Sequence, residues 1–314
     1  MESKTGTIPA DEFDATLDRY VNDLGYRLDM VVPADSPSAA IVSKDGESIR
    51  LIKSSGFRGP NSGEGLPEGG TANEWITGRA GMMYRDLIPG RMGGKIIASH
   101  IRLEKGGEVA DYVHYHKVDF QMIYCLRGRI KVVYEDQGPP FWLEPGDCVL
   151  QPPEIRHRVL ECTAGSEVIE IGMPAVHETW VEHDIQLPTA TVRPDRDFGG
   201  QRFVRHIAAD AVWAHDVEEA LDIRDVGISA ATNNFADVFV TKLATHDVTG
   251  IEPAYVQREK LLFMFVLNGN LHIQTHVGEE YDLAEGDSYT IPPNIDYKLR
   301  YSASAEALLV SVTA

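Results

Sequence analysis

Cysteine, basic residues and long apolar runs are all scarce in this chain of 314 residues, and each shortage excludes a class of protein. The three cysteines are odd in number and lack a CxxC spacing, so neither a disulfide framework nor a thiolate zinc site is expected. Cys125, Cys148 and Cys162 sit in apolar, strand-like runs that suit buried, reduced thiols. Lys and Arg number 29 against 48 Asp and Glu, a formal charge of -19, and no basic run interrupts the acidic surface. Such a surface repels phosphate backbones and anionic lipid heads, which argues against nucleic acid and against a membrane surface. No stretch approaches the ~18 uninterrupted apolar residues of a membrane span. Met1 to Asp11 is polar and acidic rather than basic and then apolar, so no secretory signal is expected and the protein reads as cytoplasmic.

What the chain has is 43% hydrophobic residues, ample for one large or two medium cores. Phe13, Leu17, Tyr20, Val21 and Leu24 share one helical face ahead of Gly25, which predicts an amphipathic helix from Asp11 to Leu24. Three short β-rich runs follow, Tyr26 to Val32, Ala39 to Ser43 and Ile49 to Ile52, separated by turn residues. This helix-then-strands unit, with Leu24-Gly25-Tyr26-Arg27-Leu28-Asp29 and Pro33-Ala34-Asp35, resembles half a module of the glyoxalase/vicinal-oxygen-chelate family; it carries no His/Glu ligand set, so the resemblance implies a structural role. Residues 55–75 turn to Gly, Pro, Ser and Glu and read as a linker. Beyond it, apolar runs punctuated by Gly-Asp and Pro-Pro turns dominate, and helical periodicity survives only in a short stretch from Ala209 to Ala220.

The β-rich pattern occurs twice. Leu126-Arg127-Gly128-Arg129-Ile130 recurs as Leu267-Asn268-Gly269-Asn270-Leu271, and Leu143-Glu144-Pro145-Gly146-Asp147 recurs as Leu283-Ala284-Glu285-Gly286-Asp287, with Pro152-Pro153 and Pro292-Pro293 after each. Tyr84-Arg85-Asp86-Leu87 likewise recurs as Ile223-Arg224-Asp225-Val226, so the chain contains two copies of one β-barrel. The expected organisation is 1–54 as helix plus meander, 55–75 as linker, 76–180 as first barrel, 181–222 as connector and 223–314 as second barrel.

Chemistry concentrates in the first copy. His114 and His116 stand two apart on one strand and so point to one face, and a neighbouring strand following the Gly146-Asp147 turn can bring His157 to the same spot. Three converging neutral imidazoles make an open site for Fe, Zn, Cu, Ni or Mn. Counting by twos places Tyr112 with the histidines, Ile123 after Gln121, His100 with Arg102, and Gln151 ahead of His157. Arg102 either clamps a substrate carboxylate or pairs at the surface; Tyr112 and His100 either serve in proton transfer or hydrogen-bond structurally. Ile123 and Gln151 join the candidate substrate contacts. In the second copy Tyr255 and Gln257 replace the paired histidines, Leu262 stands for Gln121 and Tyr297 for His157, so no metal is expected there.

These residues resemble the cupin superfamily, and the chain is similar to a bicupin over about 230 residues. The first motif reads His114, His116, four residues, Gln121, six residues, Gly128; the second reads Gly146, five residues, Pro152-Pro153-Glu154, two residues, His157. Gly107 stands one residue early, Glu154 replaces a glycine, and Gln121 stands where the family places a carboxylate ligand. The resemblance implies a mainly β fold: two tandem cupin (double-stranded β-helix, or jelly-roll) barrels behind a small α+β N-terminal extension. It also implies one divalent metal per chain on His114, His116 and His157, with Gln121, a candidate catalytic residue, ligating the ion directly, orienting a bound water or only hydrogen-bonding nearby. Three imidazoles without a carboxylate leave the ion's charge uncompensated and favour an anionic ligand. Similar three-histidine cupins include iron dioxygenases. The expected function is thus a ferrous dioxygenase acting with dioxygen on a small anionic phenolate, catecholate or dicarbonyl. A redox-neutral zinc, manganese or nickel isomerase, lyase or hydrolase is the second expectation, and a non-catalytic small-molecule binder the third. A homo-oligomer is expected from barrel edges and the N-terminal arm.

Overall fold

The computed structural model describes residues 4–34, 37–54, 74–78, 81–216, 221–244 and 260–313. The predicted linker therefore lies almost wholly outside the described residues, as do Tyr255 and Gln257.

The N-terminal unit forms as its sequence pattern requires, with one addition. Helical turns run through Phe13–Asp18 and Arg19–Asp23 and end before Gly25, whose φ of +68° suits a residue without Cβ. Phe13, Leu17, Tyr20 and Val21 pack on Val31, Ala40, Val42 and Leu51 of the meander Arg27–Val32, Ala39–Lys44 and Glu47–Lys53. The addition is strand Lys4–Ile8, which pairs in parallel with Glu47–Lys53. Its Thr-Gly-Thr centre has no apolar alternation, and only the long-range pairing reveals it. Nor does this unit stand apart. Strand Arg27–Val32 pairs with Thr179–Val181, which in turn pairs with His114–His116, so the N-terminal meander and the paired histidines share one ten-stranded sheet.

The first barrel is a jelly-roll of two facing antiparallel sheets rather than a closed ring. One sheet contributes His114–His116, His157–Cys162, Ile130–Tyr134 and Phe141–Leu143; opposite it lie Ile97–Leu103, Ser166–Met173, Phe120–Arg127 and Cys148–Leu150. Strands of the second sheet are buried on both faces. Phe120, Met122, Tyr124, Ile169 and Ile171 point away from the barrel and meet Val238, Phe263, Phe265, Leu308 and Val310 of the second barrel in one continuous core. Alternation assigns Ile101, Leu103, Cys125 and Val168 to the first barrel's interior.

The internal repeat is written into hydrogen bonds. Gly146 N donates to Cys125 O at 2.8 Å and Gly286 N to Val266 O at 2.9 Å, while Asp147 and Asp287 each accept from the backbone three residues earlier, Glu144 N and Ala284 N, at 2.9 Å. Gly128 and Gly269 have φ of +64° and +71°, and a Cβ on either would lie 2.9 Å from backbone of the facing turn. Both hairpins therefore demand glycine. The interior of the second barrel is filled: Leu262, Met264, Ile273, Leu283, Ile291 and Tyr297 pack together where the first barrel has its polar residues.

One expectation fails in the connector. Ala209 to Ala220 is not a helix as far as it is described; a single short turn, Ala208–Asp210, gives way to strand Ala214–Asp216, paired with Leu221–Asp225. Sheet pairing overrides the local helical spacing. The three cysteines are buried free thiols, as expected, and burial pushes the Cys125 thiol up to about 12.

Candidate metal centre

His114 and His157 face each other directly across two paired strands, and His116 lies two residues along the first. All three are buried, and the ligand nitrogens lie within 4.8 Å of one another; among the described residues they form the one such group. Two nitrogens bound at about 2.1 Å to one ion stand at most about 4.2 Å apart. The cluster thus lies within a fraction of an ångström of the span that an ion requires.

The remaining ring nitrogens settle which atoms coordinate. His114 Nδ1 lies 2.8 Å from Tyr112 O and His157 Nδ1 lies 3.0 Å from Ile155 O. A carbonyl only accepts, so each Nδ1 carries the proton and Nε2 is the ligand atom. His116 Nδ1 meets Thr179 Oγ1 at 2.9 Å, and Thr179 is fully buried. Each imidazole is therefore oriented by a second partner, the arrangement that fixes tautomer and aim in metal sites. This donor set fits a divalent metal such as Fe, Mn or Zn.

The rings border a cavity of about 60 Å³. At the roughly 10–15 Å³ that one water occupies on the same measure, there is room for about four small ligands. Ile101, Leu103, Ile123, Val132 and Val168 make most of the wall apolar, and its polar groups are few: Gln121, Gln151, Tyr84, Tyr134 and Glu170 beside the histidines. Gln121 Nε2 donates to Glu170 Oε1 at 2.8 Å. Gln151 Oε1 is buried and accepts no hydrogen bond among the described residues. Tyr134 stacks on His157 with ring centroids 5.5 Å apart, and its burial, helped by the Glu170 carboxylate, raises the phenol far above its ordinary pKa.

Of the residues expected from sequence, the structure brings His114, His116, His157, Gln121, Ile123 and Gln151 to one cavity. It separates the others. His100 and Arg102 lie on the opposite face of their strand, against Glu167 and the second barrel, because the cavity takes Ile101 and Leu103. With both faces of that strand buried, polarity does not mark which face is interior. Tyr112 precedes the three-residue strand His114–His116, so strand alternation does not extend to it; its ring meets His114 edge-on at 5.9 Å and its carbonyl orients that ring. Sequence reasoning missed Tyr134 and Glu170. A glutamate amid Val168-Ile169 and Ile171 was the available signal. Its presence also corrects the expectation of a cavity without a protein carboxylate: Glu170 lines the wall, held by the very glutamine that replaces the family's acid, and Asp111 Oδ1 lies 3.6 Å from His114 Nδ1.

A β-jelly-roll with three inward histidines defines the class: a metal-site β-barrel protein. Residues 99–170, within the first barrel, match the Cupin domain family. No curated protein matches it in sequence. Among solved structures it is similar to a salicylate 1,2-dioxygenase from Pseudaminobacter salicylatoxidans (15% identity, 73% of this chain and 76% of that one, TM-score 0.55). A deletion mutant of Bacillus subtilis oxalate decarboxylase is similar at 12% identity, over 81% of this chain and 79% of that one, with TM-score 0.53. AerE from Microcystis aeruginosa shares 13% identity over 76% of this chain and 96% of that one, with TM-score 0.50. At these identities the likeness is one of fold. Among the described residues no helix is long and apolar enough to cross a membrane.

Proposed function

We propose that the protein is a metal-dependent cupin enzyme that uses ferrous iron and dioxygen to oxidise a small anionic phenolate, catecholate or dicarbonyl. The observation that carries the reading is the trio of imidazoles, each held at Nδ1, beside a small apolar cavity. A ferrous ion on these nitrogens would supply the redox chemistry that joins dioxygen to substrate, whereas zinc would supply Lewis acidity alone. The chain's residues do the rest. The apolar wall limits water, Gln151 Oε1 offers a hydrogen-bond acceptor, and Tyr134 stays protonated and can donate but not abstract. Glu170, positioned by Gln121, is the group placed to take a proton from a substrate hydroxyl.

The test is oxygen consumption by protein loaded anaerobically with Fe(II), across phenols, catechols, hydroquinones and β-diketones. Uptake with one member is expected; iron binding with silence across the panel contradicts the reading. Glu170 favours a second reading, a redox-neutral lyase or isomerase, because such chemistry needs a proton carrier and no oxidant. Turnover without dioxygen in the zinc or manganese form would mark it, and ligand-dependent stabilisation without turnover would mark a binding protein. Independently of the activity, we propose a cytoplasmic homo-oligomer formed through barrel edges or the N-terminal unit; light scattering of the purified protein tests the association.

A further inference from the structure

The residues excluded from the metal cavity form a second polar cluster behind it. Arg85, His100, Arg102 and Glu167 line a cleft of about 220 Å³ between the two barrels, closed on the far side by Phe265 and Leu267. Arg85 Nη2 donates to Gly286 O of the second barrel at 2.8 Å and lies 3.0 Å from His100 Nδ1. A guanidinium only donates, so His100 accepts at Nδ1 and carries its proton on Nε2, which lies 2.6 Å from Glu167 Oε2. The other oxygen of Glu167 accepts from Arg102 Nε at 3.0 Å. Arg127 pairs with Glu285 at 2.7 Å.

This wiring leaves one cation over. Three guanidiniums line the cleft against two carboxylates, and each carboxylate already has its own arginine. Among the described residues Arg85 has only neutral acceptors, and its Nε is buried without any hydrogen bond. Asp287 and Glu167 attract it at longer range, without a direct ion pair. His100 adds nothing to the positive charge, since burial, against the pull of Glu167, lowers it to about 4. A buried charged donor without an acceptor costs at least the ~1–3 kcal/mol of an unmet hydrogen bond. Beside the charge, Trp75 lies with its ring centroid 5.0 Å from His100 and 4.4 Å from the Arg102 guanidinium, and Phe265 lies 6.1 Å from His100. Charge at one end and apolar surface at the other describe a small organic acid. Glu167 and Glu285 in the walls disfavour a dianion such as phosphate.

We propose that this inter-barrel cleft binds a small organic monocarboxylate, its oxygens on Arg85 and Arg102 and its carbon body against Trp75, Phe265 and Leu267. The site is separate from the metal cavity but shares two strands with it, Ile97–Leu103 and Ser166–Met173, whose alternate residues face each way. Isothermal titration of benzoate tests it. One benzoate per chain is expected, with binding retained in His157→Ala and weakened at least tenfold in Arg85→Gln and in Arg102→Gln. Arg85 bridges the barrels, so if its variant does not fold, Arg102→Gln, at a half-exposed side chain, decides the matter. No benzoate binding at millimolar concentration, unchanged affinity in the arginine variants, loss of binding in His157→Ala, or inorganic phosphate binding as tightly as benzoate would each overturn the proposal.

Discussion

Replacing Thr179 by valine removes one oxygen from a fully buried site and little else, which makes it a sharp probe of how the metal centre is built. The hydroxyl lies 2.9 Å from His116 Nδ1 and holds that ring in aim, whereas His114 and His157 are held by backbone carbonyls that substitution leaves in place. Loss of such an outer partner typically costs 10–100-fold in metal affinity, or about 1.4–2.8 kcal/mol. The metal-free fold should lose about 1–3 kcal/mol, because valine preserves the shape but leaves the buried His116 Nδ1 without its partner. The assay is chelator competition for bound metal, with urea unfolding of the metal-free protein as control. Thr179→Ser should restore affinity to near the parent. An affinity in Thr179→Val within twofold of the parent would refute the reasoning, and equal weakening in Thr179→Ser would show that packing, not the hydrogen bond, is at work. The same strand, Thr179–Val181, is held on its outer side by Arg27–Val32, so the N-terminal unit braces the residue that aims His116.

Three further outcomes follow from the geometry. Gly128→Ala should destabilise the fold by about 1–3 kcal/mol through its positive φ alone, with additional cost from a Cβ 2.9 Å from Ser166 Cα, whereas Gly200→Ala, at φ +90° with open space, should show only the first effect; equal unfolding midpoints would contradict this. Stability should fall as pH drops from about 6.5 toward 4, because His100 is lowered to about 4 in the fold and the unfolded chain takes the proton first. Glu167 acts in the same direction: burial raises it, but the His100 and Arg102 bonds prevail and lower it, so its contribution is lost on further acidification. With Arg85, Arg102 and Glu167 around it, His100→Gln should flatten the midpoint's slope over that range, and an unchanged slope would place the effect elsewhere. Glu170→Gln should keep its metal yet lose at least about 100-fold in kcat on whichever substrate is found, and undiminished turnover would remove Glu170 from proton transfer.

Much of this was legible because local spacing carries it. The Leu-x-Gly hairpins and Gly-Asp turns repeat their sequence, and their hydrogen bonds repeat accordingly. His114, His116 and His157 are set by a two-residue step on one strand and a direct cross-strand pairing, both of which sequence can express. Leu262 and Tyr297 likewise marked the second barrel as lacking the ligand set, and the structure packs both into its core. The phase of Ile97–Leu103 was not legible, since the loop before His114 breaks the count and both faces are buried; His100 and Arg102 were thereby assigned to the wrong side. Tyr134 and Glu170 reach the cavity only through the register of strands far apart in the chain. Gln121 appeared to remove the carboxylate from the site, yet its amide bonds to one that arrives from the neighbouring strand.

The account rests on a metal held by three histidines, and metal analysis of the freshly purified protein beside His157→Ala tests that most directly. About one divalent ion per folded chain is expected in the parent and a small fraction of that in the variant, with the variant's barrels still folded. Equal metal content in both proteins would contradict the central claim.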